Sequence, residues 1–169
     1  MRKPMELFWY GPYAIKDFLS SSEHRERFSC FGVYLWEEPT SDGFSVIYVG
    51  KANDLWYRQL EHYWTQLGGA YLLPGKYRDC GKDWTLEFSS PEALEILLNL
   101  ESFQKLVSEN FAYIHNLNIY LAPCESNALV ERNLIFQLQP YGNKRGKKTR
   151  PLHEVSFLHR NARWIENTE

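Results

Sequence analysis

The chain has 169 residues, of which 44% are hydrophobic, 16% aromatic and 24% charged, and its formal net charge is −2. This composition excludes a disordered chain and a basic coat, and the length suits one domain with its own core. The three widely spaced cysteines show neither a disulfide framework nor zinc-site spacing, and no apolar run could span a bilayer, so we expect a soluble, cytoplasmic protein without a membrane partner.

The N-terminal arm, residues 1–27, combines an aromatic cluster with a short helix predicted from Ala14 to Leu19. After it, CFGVYLWEE and VIYVG are apolar and β-prone, and a turn-forming stretch lies between them. Two such runs around a turn predict a β-hairpin. The second run is predicted to break at Gly50 and Lys51, just before a helix.

That helix is predicted in KANDLWYRQLEHYWTQLGG, with Asn53 or Asp54 as its N-cap and Gly68-Gly69 as its stop. At helical spacing its apolar residues form one stripe, namely Trp56, Leu60, Tyr63, Trp64 and Leu67. Arg58, His62 and Thr65 fall on the opposite side. The two basic groups are therefore predicted to share a face.

A long segment, residues 65–117, begins at the end of this helix. It contains one candidate strand, Trp84–Phe88, and a helix that runs to Val107 from Ser90 as N-cap, with Pro91 at the first position. We interpret this segment as an insertion that either grips a substrate or forms a dimer contact.

A third main strand, NIYLAP, precedes a helix predicted from a Ser126 or Asn127 cap to a stop at Pro140. Glu131 falls on the apolar stripe of that helix, among Leu134, Ile135 and Leu138. Because burying an unpaired charge is costly, this carboxylate is expected to have a partner.

Two strand tripeptides, two basic residues one helical turn apart, a late acid and a trailing asparagine occur in a fixed order: Gly32-Val33-Tyr34, Tyr48-Val49-Gly50, Arg58, His62, Glu131 and Asn143. This order resembles the GIY-YIG nuclease domain over about residues 31–143. The resemblance implies an α+β fold with a small central three-stranded antiparallel sheet flanked by helices. The matching core would be about residues 28–143, flanked by N- and C-terminal arms, and the chain departs from the family pattern by an inserted helix. The implied activity is hydrolysis of DNA phosphodiester bonds with one divalent cation per active site, Mg2+ or Mn2+.

The resemblance assigns roles to the motif residues. Tyr34 is the expected general base toward water, and Tyr48 would orient that phenol or the water. An unperturbed phenol has a pKa of about 10, so Tyr34 would need a neighbouring cation such as Lys51 to favour the phenolate. Glu131 is the expected metal ligand, because a hard carboxylate suits Mg2+.

The remaining motif residues are expected to bind phosphate or to shape the backbone. Arg58 and His62 would bind phosphate and stabilise the leaving group. Gly32 and Gly50 would be structural at the site, with Gly50 letting the backbone turn beneath the substrate, and Asn143 would fix the chain after the late helix. Structural alternatives stay open: aromatics that pack a sheet, a solvated helix face, and an ordinary turn lysine at position 51.

The C-terminal arm, residues 144–169, begins with a basic run. Five of its side chains are predicted to contact DNA phosphates, namely Lys144, Arg145, Lys147, Lys148 and Arg150. A solvated tail is the alternative. On the DNA interpretation, binding should weaken with salt with a log-log slope of about −0.9 per phosphate contact.

Three functional hypotheses follow. The leading one is a restriction-type DNA endonuclease. A structure-specific repair nuclease or toxin-like nuclease is the second, and a catalytically inactive nucleic-acid-binding module is the third. One active site cuts one strand at a time, so a double-strand cut would require a homodimer or sequential nicking.

Overall fold

The computed structural model describes residues 4–41, 43–67, 91–143 and 150–162. The strands in these ranges are β1 (Met5–Phe8), β2 (Tyr10–Ala14), β3 (Gly32–Thr40), β4 (Gly43–Ala52), β5 (Asn118–Pro123) and β6 (Phe157–Arg160). The helices are α1 (Ile15–Ser20), α2 (Ser22–Phe28), α3 (Leu55–Leu67), α4 (Pro91–Leu98), α5 (Leu100–His115) and α6 (Asn127–Leu138). None of these helices is long and apolar enough to cross a membrane. The candidate strand Trp84–Phe88, the Gly68-Gly69 stop and the Ser90 cap lie outside the described residues.

The central sheet is antiparallel and has the strand order β2-β5-β3-β4, which confirms the α+β class. It has four strands rather than the predicted three, because the N-terminal arm supplies β2, whose Tyr13 lies opposite Ile119 of β5. Without β2, β5 would present a row of unpaired N–H and C=O groups at the edge of the sheet. The arm therefore completes the sheet.

Two element boundaries differ from the predicted ones. Strand β4 does not break at Gly50 and Lys51, because it stays paired with β3 as far as Ala52. The helix predicted to run from Ser90 to Val107 is two helices, α4 and α5. Asn99 separates them, and its side chain accepts a 3.0 Å hydrogen bond from the backbone N–H of Ser102, which caps α5.

The N- and C-terminal arms pair with each other. Strands β1 and β6 form a parallel two-stranded sheet, in which Met5 lies opposite Phe157. Leu7 and Trp9 are buried in the core, and Asn161 Nδ2 donates a 2.8 Å hydrogen bond to the carbonyl of Trp9. The described parts of both arms thus contribute to the folded core.

The two faces of the central sheet bury different helices, because successive strand side chains point to opposite faces. Tyr34 and Trp36 of β3 pack with residues of α1, α2, α3 and α5, and we call this side the α3 face. Val33 and Leu35 pack with α6 on the other side, the α6 face. Both α3 and α6 contact the edge strand β4. Arg58 and Glu131 therefore come from helices on opposite faces that share β4 as a neighbour.

Candidate active site

Helix α3 turns a largely polar face toward the sheet. Its buried side chains are Leu55, Gln59, His62 and Gln66. The predicted apolar stripe is therefore not the most buried face: Trp56, Tyr63 and Leu67 are partly buried against the core, and Trp64 is 68% exposed. His62 and Gln59 can point inward because each meets a polar partner on β3: His62 meets Tyr34, and Gln59 meets Trp36.

Tyr34 and His62 share a short hydrogen bond, with 2.6 Å between the phenol oxygen and Nε2. Burial raises the pKa of Tyr34 well above its usual 10.0, with Tyr48 adding to the rise and Arg58 opposing it. Burial, helped by Arg58, lowers the pKa of His62 to about 3. Both groups are consequently neutral near pH 7. Arg58, rather than Lys51, is the cation that favours the phenolate of Tyr34.

Arg58 and Tyr48 complete this cluster. Tyr48 packs 6.1 Å from the Tyr34 ring and 6.0 Å from the His62 ring, centroid to centroid. The Arg58 charge opposes the rise in the pKa of Tyr34, and its Nη1 lies 2.9 Å from Glu61 Oε2. Burial opposes the charge of Arg58, but Tyr34 and Glu61 raise its pKa above the usual value. The guanidinium is a permanent cation beside the tyrosine.

Gly50 lies directly opposite Tyr34 in the β-hairpin. A Cβ atom at position 50 would overlap the Tyr34 hydroxyl and the ring carbon that carries it. At Gly32 a Cβ would come within 2.6 Å of the Ala122 carbonyl oxygen and 2.7 Å of Leu55 Cδ1, where α3 begins. Both positions therefore require glycine because of close packing.

Glu131 is paired with Lys51 on the α6 face. The Lys51 Nζ lies 3.4 Å from Glu131 Oε2, and the Glu131 side chain is 23% exposed. Burial raises the pKa of Glu131, while the side chain and backbone of Lys51 oppose the rise. The expectation that this carboxylate has a partner is confirmed.

The site residues thus form two groups. Tyr34, Tyr48, Arg58 and His62 lie together on the α3 face, and Lys51 holds Glu131 on the α6 face. Within the described ranges, no hydrogen bond or ion pair joins Glu131 to Tyr34 or Arg58. The consecutive residues Gly50 and Lys51 link the two groups, because Gly50 contacts Tyr34 and Lys51 contacts Glu131.

A groove of about 470 Å³ runs past this link. It brings the Lys51 and Arg58 cations to one surface and reaches α6 at Asn127. Its other lining residues are Ala52, Asn53, Asp54, Tyr57 and Glu61. A phosphate in this groove could contact both cations, each of which is paired with a carboxylate.

Asn143 fixes the chain after α6 to the edge strand, as expected. Its Nδ2 donates a 2.7 Å hydrogen bond to the carbonyl of Val49, and its Oδ1 accepts a 2.8 Å bond from the N–H of the same residue. Gly142 N–H also donates to the Ile47 carbonyl. The buried amide therefore pairs with β4 as a neighbouring strand would.

One predicted phosphate contact can be located. Arg150 is exposed and forms two hydrogen bonds with Glu154, so its charge is already matched by an acid. Lys144, Arg145, Lys147 and Lys148 lie outside the described residues.

The donor set around Glu131 fits one kind of metal site. The described parts of the chain contain no group of three or more His, Cys, Asp or Glu side chains that could hold a metal ion. One partly exposed carboxylate does suit Mg2+, which keeps several waters and takes one or two protein carboxylates together with substrate phosphate. The residues present fit such a hydrated cation and do not fit a cage made entirely of protein ligands.

Sequence reasoning missed Trp36, Gln59 and Glu61, which contact the site residues. Gln59 and Glu61 lie within the helical turn between Arg58 and His62, and nothing in the local pattern separates them from surface residues.

Comparison of the chain with models of known protein families, with curated proteins and with solved structures finds no match.

Proposed function

We propose that the protein is a metal-dependent endonuclease of the GIY-YIG type that hydrolyses DNA phosphodiester bonds. Restriction of DNA is the leading candidate for its biological role. The observation that carries this proposal is the hydrogen-bonded Tyr34–His62 pair beside Arg58, next to the Gly50-Lys51 link that reaches Glu131. Strands β4, β3 and β5 would be the three-stranded core of such a domain, and β2 would be an addition to it.

Arg58 and Lys51 supply the positive charge that a scissile phosphate needs. A guanidinium offers two parallel N–H donors to phosphate oxygens. In the free protein Glu61 takes one of these donors, so phosphate binding would displace the Glu61 carboxylate from Arg58. Until then, the pairing with Glu61 keeps the guanidinium oriented toward the groove.

Tyr34 and His62 supply the path for the proton of the attacking water. A neutral phenol is a weak base, but it can accept a proton from water if it gives its own proton to His62 Nε2 at the same time. The 2.6 Å separation gives this proton a direct path to the neutral imidazole, and because burial and Arg58 disfavour a charged His62, the bound phosphate would have to offset the Arg58 charge for the imidazolium to form. The attack would break the bond to the 3'-oxygen, which leaves 3'-hydroxyl and 5'-phosphate ends.

Glu131 would hold the divalent cation, Mg2+ or Mn2+. When bound, such a cation neutralises the charge that develops on the phosphate. Lys51 would then be released from Glu131 to contact the phosphate itself. This arrangement explains why a partly buried carboxylate lies next to a groove lined by cations.

A catalytically inactive nucleic-acid-binding module is the second candidate, and one observation favours it. Tyr34 is only 1% exposed, so its hydroxyl is shielded from water in the free protein. An active enzyme would have to open the surface at Tyr48 or Gly50 when substrate binds.

Incubation of the purified protein with supercoiled plasmid and Mg2+ separates these candidates. The nuclease proposal predicts nicking that stops with EDTA and in the Glu131→Ala variant. A shift of DNA mobility without cleavage would support the binding module instead. A protein that neither shifts the DNA nor cleaves it would overturn both candidates.

The pattern of products then identifies the role. Discrete fragments from several plasmids would support restriction-type specificity. A smear, or a preference for branched substrates, would support a repair or toxin-like nuclease. Linear product that appears without a nicked intermediate would indicate a homodimer that cuts both strands.

A further inference from the structure

Trp36 lies at the centre of the ring cluster on the α3 face. Its ring packs edge-to-face against His62 at 4.8 Å and 75°, which is closer to His62 than any other ring among the described residues. It also packs 5.4 Å from Tyr48 and 6.4 Å from Tyr34. A small rotation of the indole would therefore push the imidazole out of line with the Tyr34 hydroxyl.

Gln59 fixes the orientation of that indole. The indole N–H of Trp36 donates a 2.9 Å hydrogen bond to Gln59 Oε1, and both side chains are buried. Because Trp can only donate, this bond also settles which end of the Gln59 amide faces it. Gln59 lies on α3 three residues before His62, so one helix face carries both the anchor of the indole and the imidazole.

The other end of the same amide has no partner in the described parts of the chain. Gln59 Nε2 makes no hydrogen bond there, and because Gln59 is fully shielded from solvent, water does not satisfy this group either. A buried N–H without an acceptor lowers stability, and a leucine would fill the same space without that cost. The hydrogen bond that its oxygen accepts from Trp36, rather than core stability, therefore explains a glutamine at this position.

We infer that Trp36 and Gln59 act as a positioning pair that holds the His62 ring in line with the Tyr34 hydroxyl. This inference rests on the proposed function, because the alignment matters for a proton transfer between Tyr34 and His62. Both side chains are buried and neither lines the groove, so neither would touch the substrate. Their effect would pass through the imidazole alone.

Imidazole NMR tests the positioning without any need for cleavage activity. In protein labelled with 15N-histidine, the His62 ring nitrogens are identified by their loss in His62→Gln. Gln59→Leu should shift or broaden these signals. Gln66→Leu should leave them unchanged, because Gln66 is an equally buried glutamine on the same face of α3 and makes no bond to Trp36. Unchanged His62 signals in a folded Gln59→Leu protein would overturn the inference.

Kinetics test whether the alignment matters to the reaction. Gln59→Leu should lower kcat about tenfold and leave KM within about twofold, as expected for a residue that only orients a catalytic group. An unchanged kcat with altered His62 signals would also contradict the inference. If the wild-type protein cuts nothing, the proposed function fails while the NMR result still decides the positioning.

Trp36→Phe provides a second route should Gln59→Leu fold poorly. Phenylalanine keeps a ring against His62 but removes the donor to Gln59. The Gln59→Leu/Trp36→Phe double variant should show the same His62 signals as Trp36→Phe alone, because the two residues act as one unit. Signals that differ additively between them would show that the pair does not act together.

Discussion

Buried polar residues on α3 decide the character of the site at the scale of single residues. Hydrophobic periodicity places apolar side chains toward the core, and on that basis His62 was expected on the side opposite the apolar stripe. His62 is buried because Tyr34, 28 positions earlier in the chain, provides its partner. A local pattern cannot report such a partner, so the identity of the motif residues could be predicted, but not the burial of His62 or the presence of Trp36 and Gln59.

Gly50 provides a test at this scale. Gly50→Ala would place a methyl group on the Tyr34 hydroxyl, so we expect a loss of about 1–3 kcal/mol of stability from overpacking. The measurement is the urea unfolding midpoint. Asn53→Ala, an exposed change three positions along, should alter stability by less than about 0.5 kcal/mol. Equal midpoints for the two variants would contradict the close contact.

At the scale of elements, the hairpin, the NIYLAP strand and the Glu131 helix could be predicted because their patterns are strong and local. Strand β2 could not, because YGPYA contains a glycine and a proline, which argue against a strand. The pairing with β5 absorbs both through a register shift between Tyr10 and Tyr13. The pairing of β1 with β6 joins the two ends of the chain, which no local pattern can indicate.

The neighbours Trp9 and Phe8 test whether the N-terminal arm belongs to the core. Trp9 is 0% exposed and Phe8 is 52% exposed. Trp9→Ala should therefore cost about 3–5 kcal/mol, as expected for a large buried aromatic, and Phe8→Ala should cost far less. Chemical denaturation measures both. Similar losses for the two variants would mean that the arm packs differently from the structure described above.

At the scale of the whole molecule, one buried and one partly buried histidine couple folding to pH. The pKa of His62 is lowered to about 3 by burial and by Arg58, and that of His159 to about 4 by burial. The usual pKa of histidine is 6.5, so between that pH and these lowered values the two side chains bind protons in the unfolded chain but not in the folded protein. This stabilisation is fully present above about pH 6.5 and is lost as the pH falls toward 3.

The histidine contribution can be isolated by comparing variants across that pH range. His62→Gln should flatten the fall in unfolding free energy below pH 6.5 by up to about 1.4 kcal/mol per pH unit, the value for one proton. His153→Gln, at an exposed histidine, should leave the slope unchanged. Parallel curves for wild type and His62→Gln would show that His62 titrates normally in the folded protein.

The central claim is that Tyr34 and Glu131, on opposite faces of the sheet, serve one phosphodiesterase site at the Gly50-Lys51 link. The most direct test is the rate of plasmid nicking in Mg2+ by Tyr34→Phe and Glu131→Ala, beside the matched changes Tyr10→Phe and Glu125→Ala. We predict at least a hundredfold loss in the first two variants, both still folded, and wild-type rates in the matched pair. A wild-type protein that leaves plasmid intact, or site variants that nick as fast as the matched pair, would contradict the account.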